Sequence, residues 1–431
     1  MGKGKKRCFS SVFIVISLFI APACWAGGGD AEANMLLELK KLIEQQQKQL
    51  DHQAKQIAQL TEQLGGASKA IEQKADKADV VPLKTVEVVS SKSKNVDVSL
   101  YGHVNRGILW SENGDSSKVS FVDNNNSQSR IGVNASVSPM EGLSVGGKIE
   151  YGVKSNASSD ISQNETNDAT SVNWNLRHAD IFIKSDTFGK VSLGHGSAAS
   201  DGTSEIDLSG TGVVSYSDVN AISGGQLFYD SDTEILSDLR VKNVFNNMDG
   251  LGRDDRLRYD TPAFAGMTLS GSAVSGDAYD AAFRYSRAFG DTKVAAGIAY
   301  ANPGDVNESV TDQYSGSASL LLGNGLNLTV AAALREMSDD ARDDTTFWFT
   351  KLGYRADIFD LGKTSFSIDY AEQDDLNQNG DESKTWAIAA VQDMPSWGTE
   401  FYLAYRNYKL DRDGTSFEEV NAILGGARVK F

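Results

Sequence analysis

Charged side chains in two parts of the sequence have types and spacing that suit the handling of ions in water. One connection, residues 197–249, carries nine acidic residues: Asp201, Glu205, Asp207, Asp218, Asp230, Asp232, Glu234, Asp238 and Asp249. Ten basic residues stand on alternating segments elsewhere: Arg130, Lys148, Arg177, Arg256, Arg258, Arg284, Arg335, Lys351, Arg355 and Arg406. Acids that face bases across a narrow aqueous passage would select permeants by charge. Solvated charges of both signs would only keep such a passage wet.

Other groups with catalytic or metal-binding potential are weaker. Residues 375–380 copy the first half of a calcium-binding loop, but Trp386 stands where the twelfth position requires a bidentate glutamate. The four histidines are too scattered for a zinc site. Ser197, close to His195, lacks the Gly-x-Ser-x-Gly spacing of a hydrolase. The sequence therefore predicts no metal, no cofactor and no enzyme activity.

The N-terminal residues predict that the protein is exported. Residues 1–26 have the basic start, apolar core and small-residue end of a signal peptide, with cleavage after Ala26. Cleavage removes four basic residues and both cysteines, so the formal charge of -17 becomes -21 and no disulfide remains. This acidity argues against nucleic acid as a partner. No later stretch approaches the ~18 apolar residues of a membrane helix.

Residues 27–66 predict an α-helical coiled coil. Leu36, Ile43, Leu50, Ile57 and Leu64 recur every seven residues, which is the spacing of a coiled-coil seam. Self-association buries this seam most simply; the alternative is an amphipathic helix docked on the body of the same chain. The polar region that follows, 67–95, has no sustained pattern and is interpreted as a linker.

From residue 96 to residue 431 the chain alternates between apolar and polar side chains, which is the period of a β-strand. Sixteen such segments occur: 96–110, 128–138, 143–153, 172–184, 190–196, 255–260, 267–275, 279–288, 293–301, 313–322, 326–336, 346–357, 364–371, 384–392, 399–408 and 418–431. Short links alternate with long, acidic ones, as in an antiparallel transmembrane β-barrel. A soluble β-sandwich would explain the alternation. It would not explain export together with short links at one end of the strands and long loops at the other.

Two residues interrupt this pattern. Arg106 shares the apolar face of the first segment, where a bulge, a rim position or a subunit contact could accommodate it. In the last segment, Ile423, Ala427 and Val429 share one face with the terminal Phe431, and Leu424 is the apolar exception on the charged face.

Several short motifs, in order, resemble the trimeric Gram-negative porins over residues 96–431. They are Leu100-Tyr-Gly102, Ser129-Arg-Ile-Gly132, Asp186-Thr-Phe-Gly-Lys-Val-Ser-Leu-Gly194, Arg258-Tyr-Asp-Thr-Pro-Ala-Phe-Ala-Gly266 and Phe431. The resemblance implies an all-β, 16-stranded antiparallel barrel whose third loop folds inward. It also implies that the terminal Phe431 is recognised during assembly of the barrel.

The same resemblance implies a pore constriction. Arginines on the second, fourth and sixth strands match Arg130, Arg177 and Arg258, and His103 occupies a position that is often basic. Arg177 needs a bulge in order to face inward, because it shares parity with outward-facing isoleucines. The acidic motif of the third loop is absent, and Asp201, Glu205 and Asp207 are assigned to the constriction from their place at its start.

The sequence thus predicts a homotrimeric porin in the outer-membrane lipid, a water-filled channel for passive diffusion of small hydrophilic solutes and ions. The excess of acids on the long connection favours weak cation selectivity. A three-stranded coiled coil would stand in the periplasm. Two alternatives are a substrate-specific channel for sugars or dicarboxylates, and an envelope tether that acts through the coiled coil.

Overall fold

The computed structural model describes residues 96–165 and 173–431, together with Lys48 and Lys55. The predicted signal peptide (1–26), coiled coil (27–66) and linker (67–95) lie outside the described residues apart from these two lysines. Both lysines have helical backbone conformation and exposed side chains. Among the described residues, no helix is long and apolar enough to cross a membrane.

The described part of the chain is almost entirely β-structure. Its strands are β1 (Asp97–Glu112), β2 (Ser117–Asp123), β3 (Arg130–Met140), β4 (Leu143–Lys154), β5 (Asn173–Ser185), β6 (Gly189–Ser197), β7 (Leu227–Asp230), β8 (Ile235–Arg240), β9 (Arg253–Asp260), β10 (Met267–Val274), β11 (Ala278–Phe289), β12 (Thr292–Asn302), β13 (Val310–Leu321), β14 (Leu326–Met337), β15 (Thr345–Phe359), β16 (Gly362–Asp374), β17 (Glu382–Met394), β18 (Thr399–Arg412), β19 (Thr415–Ser416) and β20 (Val420–Lys430). One helical turn, Val241–Val244, follows β8.

Sixteen of these strands form a closed antiparallel barrel. Each pairs with its neighbour along the chain, and β20 pairs with both β18 and β1 to close the wall. The short strands β2 and β19 extend the sheet beside β1 and β18. A separate hairpin, β7 with β8, lies within residues 198–252. The predicted 16-stranded barrel is confirmed; the sequence pattern did not reveal β2, β7, β8 or β19.

The two faces of the wall differ in the way that the alternation predicts. Leu100, Val104 and Ile108 on β1 are exposed on the outer face. Asn105 and Leu109, which have the opposite parity, are buried on the inner face. A band of exposed apolar side chains around a barrel matches contact with lipid. Barrel formation therefore follows from the two-residue period together with the closing β1–β20 pair.

Connection length separates the two rims. Turns such as 141–142 and 290–291 join strands at one rim, and longer connections such as 303–309 and 338–344 join them at the other. The longest connection, residues 198–252, links β6 to β9 and is called the long segment below.

Candidate functional site

Away from the rims, nine charged side chains lie on the inner face of β3, β4, β5, β6 and β9, which is called the basic wall below. They come together because alternate residues of neighbouring strands point to the same side of a sheet. The nine are Arg130, Lys148, Glu150, Arg177, Asp180, Lys190, Arg256, Arg258 and Asp260. Six of them line a cavity of about 230 Å³, together with His178. Several cations of the wall thus line one cavity that is large enough for several water molecules.

One buried carboxylate organises the upstream part of the basic wall. Glu150 Oε1 lies 2.7 Å from Arg177 Nε and 3.9 Å from Arg130 Nη1, and Glu150 Oε2 lies 3.6 Å from Lys148 Nζ. Tyr101 donates its hydroxyl to the same carboxylate at 2.6 Å. Three cations therefore share one carboxylate, whose side chain is only 4% exposed. This group retains an excess of two positive charges.

A β-bulge brings Arg177 to this group. Glu150 pairs with His178 and Tyr151 pairs with Leu176, so that Arg177 is the extra residue between them. Such a bulge leaves one residue outside the ladder and re-aims its side chain. Arg177 consequently reaches Glu150 while Ile181, further along the strand, stays exposed on the outer face.

The downstream part of the basic wall binds the start of the long segment. Arg256 pairs with Asp180 at 2.5 Å and donates to the carbonyl of Ser197. Arg258 pairs with Asp260 at 2.7 Å and donates to the carbonyl of Ala198 at 2.7 Å. These two arginines hold the point at which β6 ends and the long segment begins.

His103 lies at the edge of the basic wall. Its Nε2 is 2.9 Å from the carbonyl oxygen of Gln128, to which it can donate, and 3.3 Å from Ser127 Oγ. Arg428 on β20 donates to the same Ser127 hydroxyl and pairs with Glu400. His103 is therefore part of a hydrogen-bonded row that continues the wall toward β20.

The three predicted loop acids have three different environments. Asp201 lies 3.4 Å from Arg253, and Glu205 accepts a hydrogen bond from the amide of Asn247 at 3.0 Å. Asp207 pairs at 2.6 Å with Lys351 on β15. Among the residues that the structure describes, none of these acids forms an ion pair with Arg130, Arg177 or Arg258. The acids and the predicted arginines thus lie apart.

Lys351 forms a buried polar attachment of the long segment to the barrel. Its side chain is 0% exposed, yet its ammonium has four acceptors, all from the segment. They are Asp207 Oδ2 and the Ser215 carbonyl, each at 2.6 Å, and the Ser209 and Thr211 hydroxyls, each at 3.2 Å. A buried ammonium is stable only when it is paired and hydrogen-bonded in this way.

A second buried ion pair reinforces this attachment. Arg406 on β18 and Asp369 on β16 pair at 2.8 Å with both side chains fully buried. The Ser215 hydroxyl donates to Asp369, and the Tyr408 hydroxyl donates to the Val219 carbonyl at 2.7 Å. Both polar attachments therefore hold the same part of the long segment.

Apolar contacts complete the attachment. One cluster joins Phe228, Phe245 and Met248 of the long segment to Phe347 and Phe349 on β15. A second cluster contains Leu424, the apolar exception in the final strand. There it packs with Val213, Val214 and Ile222 of the segment. The long segment thus contacts β14–β18 and β20 through apolar clusters and buried ion pairs, whereas charged side chains dominate the basic wall.

Three acids of the long segment form no ion pair with any residue that the structure describes. Burial, together with the carboxylates of Asp249 and Asp218, raises the pKa of Glu205 well above its usual value. Burial raises the pKa of Asp249 to about 6, although backbone and hydroxyl groups of Ser204 donate to it. Burial also raises the pKa of Asp218 to about 6. These acids hold protons more readily than exposed carboxylates do.

Two groups among the described residues have the spacing of cation ligands. His195, Asp254 and Asp255 form one group, and the other is Glu372 with Asp374 and Glu382. Carboxylates gather at exposed rims without any ion, and neither group contains a further feature that indicates a ligand.

Glu150 and the role of Lys351 were missed from sequence. Glu150 stands two residues after Lys148, so its inner-face position was readable from the alternation. The partner of Lys351 could not be predicted from the sequence, because Asp207 is 144 positions away in a segment without periodicity.

Comparison with known proteins agrees with this architecture. The model of the Gram-negative porin family matches residues 85–413. No curated protein sequence is significantly similar to the chain. The anion-selective porin from Comamonas acidovorans is 16% identical with a TM-score of 0.50, and the match covers 78% of this chain and 100% of that one.

Two further solved structures have the same fold. A loop L8 deletion mutant of OmpT, an outer membrane protein of Vibrio cholerae, is 15% identical with a TM-score of 0.51 over 78% of this chain and 100% of that one. The outer membrane channel DcaP of Acinetobacter baumannii is 15% identical with a TM-score of 0.50 over 80% of this chain and 100% of that one. Identities this low establish the fold alone. The family match spans most of the barrel, and the chain therefore belongs to the Gram-negative porin family and is an outer-membrane channel.

Proposed function

We propose that the channel is a water-filled pore for passive diffusion of small hydrophilic solutes and ions, narrowed by the long segment folded inside the barrel. The observation that carries this proposal is the environment of Lys351. Its side chain belongs to the inner face of β15, and all four of its acceptors come from the long segment. An inner-face ammonium with those partners supports a position of the segment within the barrel.

The open passage then runs between the long segment and the basic wall. Two apolar clusters and two buried ion pairs fill the space beside β14–β18 and β20. The constriction consists of Arg130, Arg177 and Arg258 with His103 on the wall. Asp201 and Glu205 belong to the edge of the segment, and Asp207 holds the segment in place.

A cysteine pair tests the position of the long segment. Thr211 Oγ1 and Ser367 Oγ lie 2.9 Å apart, so Thr211→Cys with Ser367→Cys should form a disulfide in the folded barrel. The matched control is Thr211→Cys with Ser144→Cys. Ser144 lies on β4 of the basic wall, so this pair should stay reduced. A folded barrel in which the first pair stays reduced under oxidation would contradict the proposal.

Diffusion itself is tested with purified protein in liposomes and planar bilayers. Sugars of increasing size should enter the liposomes at rates that fall with size, and bilayers should show discrete conductance steps. Uptake of one sugar alone would favour the substrate-specific alternative, and absence of both sugar uptake and conductance would contradict the pore.

We further propose that the barrel is a homotrimer, because Arg106 lies on its outer face. The register of β1 with β20 is continuous through this position, which rules out a bulge there. Arg106 is four residues from Trp110, about 13 Å along the strand, and thus within the apolar band. Its side chain is 46% exposed and pairs with Asp123. An arginine near the bilayer midplane costs about 2–4 kcal/mol, which a covering subunit would offset.

Substituting this arginine tests the trimer. Arg106→Glu would place two carboxylates side by side, so trimers should dissociate in cross-linking and light-scattering measurements. Lys363→Glu reverses a charge near a short turn and serves as the control. Monomers in the wild-type protein would exclude the trimer.

For residues 27–66 we propose a parallel three-stranded coiled coil in the periplasm. Lys48 and Lys55 are seven residues apart and fall opposite the seam, where an exposed helical side chain is expected. The three barrels would then supply the three helices.

A further inference from the structure

The interior of the barrel is divided by charge. Away from the rims, the basic wall carries six cations and three carboxylates, an excess of three positive charges. The opposite half of the inner face contacts the long segment through two apolar clusters and two buried ion pairs. Water and solutes therefore meet the basic wall.

The carboxylates of the basic wall are more enclosed than its free cations. Glu150 is 4% exposed, whereas Lys148 beside it is 29% exposed. Lys190 forms no ion pair with a described carboxylate, and its ammonium lies 4.8 Å from the centre of the Phe182 ring. Both lysines line the cavity of about 230 Å³. Asp180 and Asp260 line the cavity as well, but they pair with Arg256 and Arg258. The ammonium groups of the two lysines are therefore the excess charge that a solute in the cavity would meet.

The acids of the long segment do not neutralise this charge. Asp207 is paired with Lys351, and Asp201 lies beside Arg253. Glu205 binds Asn247 and has a raised pKa, so less of it is ionised than of an exposed glutamate. Counting acids along the sequence thus overestimates the negative charge that faces the passage.

We infer that the passage selects anions, and that Lys148 and Lys190 form a site for small solutes with carboxylate or phosphate groups, with Arg130 and Arg177 nearby on Glu150. Guanidinium and ammonium donors form the strongest hydrogen bonds with such oxyanions. Charges on distant loops are screened beyond about 8 Å at physiological salt, so the net acidity of the chain does not reverse the preference. This inference rests on the proposed position of the long segment. It reverses the weak cation selectivity expected from the sequence.

Reversal potentials across a KCl gradient in planar bilayers test the inference. The wild-type protein should be more permeable to chloride than to potassium. Lys148→Gln with Lys190→Gln should lower the chloride-to-potassium permeability ratio by about threefold for each charge removed, as a monovalent ion about 6 Å away in water would experience. Lys148→Arg with Lys190→Arg should keep the ratio, and Lys363→Gln, outside the passage, should leave it unchanged.

A second readout concerns the site itself. Inorganic phosphate added to one side should reduce the chloride current of the wild-type channel, and acetate should reduce it less because it carries less charge. The double glutamine variant should require at least about tenfold more phosphate for the same reduction, by the same Coulomb argument. Circular dichroism of each variant establishes that the barrel is folded.

The possible outcomes distinguish a failure of anion selection from a failure of the pore itself. A conducting wild-type channel that prefers potassium, or equal permeability ratios in the wild type and the double glutamine variant, would overturn anion selection and leave the pore in place. A folded wild-type protein without conductance would overturn the pore on which the inference rests.

Discussion

Replacing Lys351 with methionine should release the long segment from β15. The change removes a fully buried ammonium with four acceptors and leaves the Asp207 carboxylate buried without its cation. Removing one partner of a buried ion pair costs about 3–5 kcal/mol. Each ~1.4 kcal/mol is a factor of ten in an equilibrium constant. Amide exchange in peptides covering residues 205–219 should therefore accelerate between about a hundredfold and several thousandfold, because local opening of the segment controls it.

Hydrogen exchange with mass spectrometry on the detergent-solubilised protein measures this effect. Lys363→Met removes the cation of an exposed pair with Asp357, which contributes at most about 1 kcal/mol, and is the control. Adding Asp207→Asn to Lys351→Met should recover part of the loss, since no uncompensated buried charge remains. If Lys351→Met exchanges no faster than Lys363→Met, the buried pair does not hold the segment and the reasoning fails.

Three further predictions follow from other parts of the molecule. Phe431→Ala should reduce the amount of barrel in the outer membrane far more than the conductance of the barrels that do assemble; normal yields by quantitative blotting would refute this. A synthetic 30–66 peptide should cross-link to trimers, and a limit at dimers would count against it. Because Asp218 and Asp249 have raised pKa values, the folded state binds their protons more tightly, and stability should fall as pH rises from about 4 to about 6. Asp249→Asn should flatten that dependence of the thermal midpoint on pH, and an unchanged slope would exclude the group.

The barrel could be predicted because its physical cause is local. Lipid outside and a different environment inside impose a two-residue period on every strand, and the period is readable wherever side chains alternate. Even the exceptions carried information. The need for a bulge at Arg177 followed from its parity with Ile181 and Ile183, and the structure contains that bulge.

The interior could be predicted only in part. Phe347 and Phe349 alternate with Trp348, so both faces of β15 are apolar, which is the pattern of a strand covered on each side. This pattern could have indicated a covered wall, but not which segment covers it. Pairs such as Lys351 with Asp207 join a periodic strand to an aperiodic segment, and no local pattern encodes them. The charge that faces the passage depends on such pairs.

The divided interior assigns stability and permeation to different strands. In the proposed arrangement, strands β14–β18 face lipid on the outside and the long segment on the inside. Substitutions on their inner face therefore leave cavities and carry the cost of a core mutation. On β3–β6 and β9 the more exposed inner-face side chains, such as Lys148, meet water, and exchanging one hydrated side chain for another costs little. Permeation can thus diverge among related chains through changes in the basic wall alone. The remaining strands would preserve the barrel and the residues that bind the long segment.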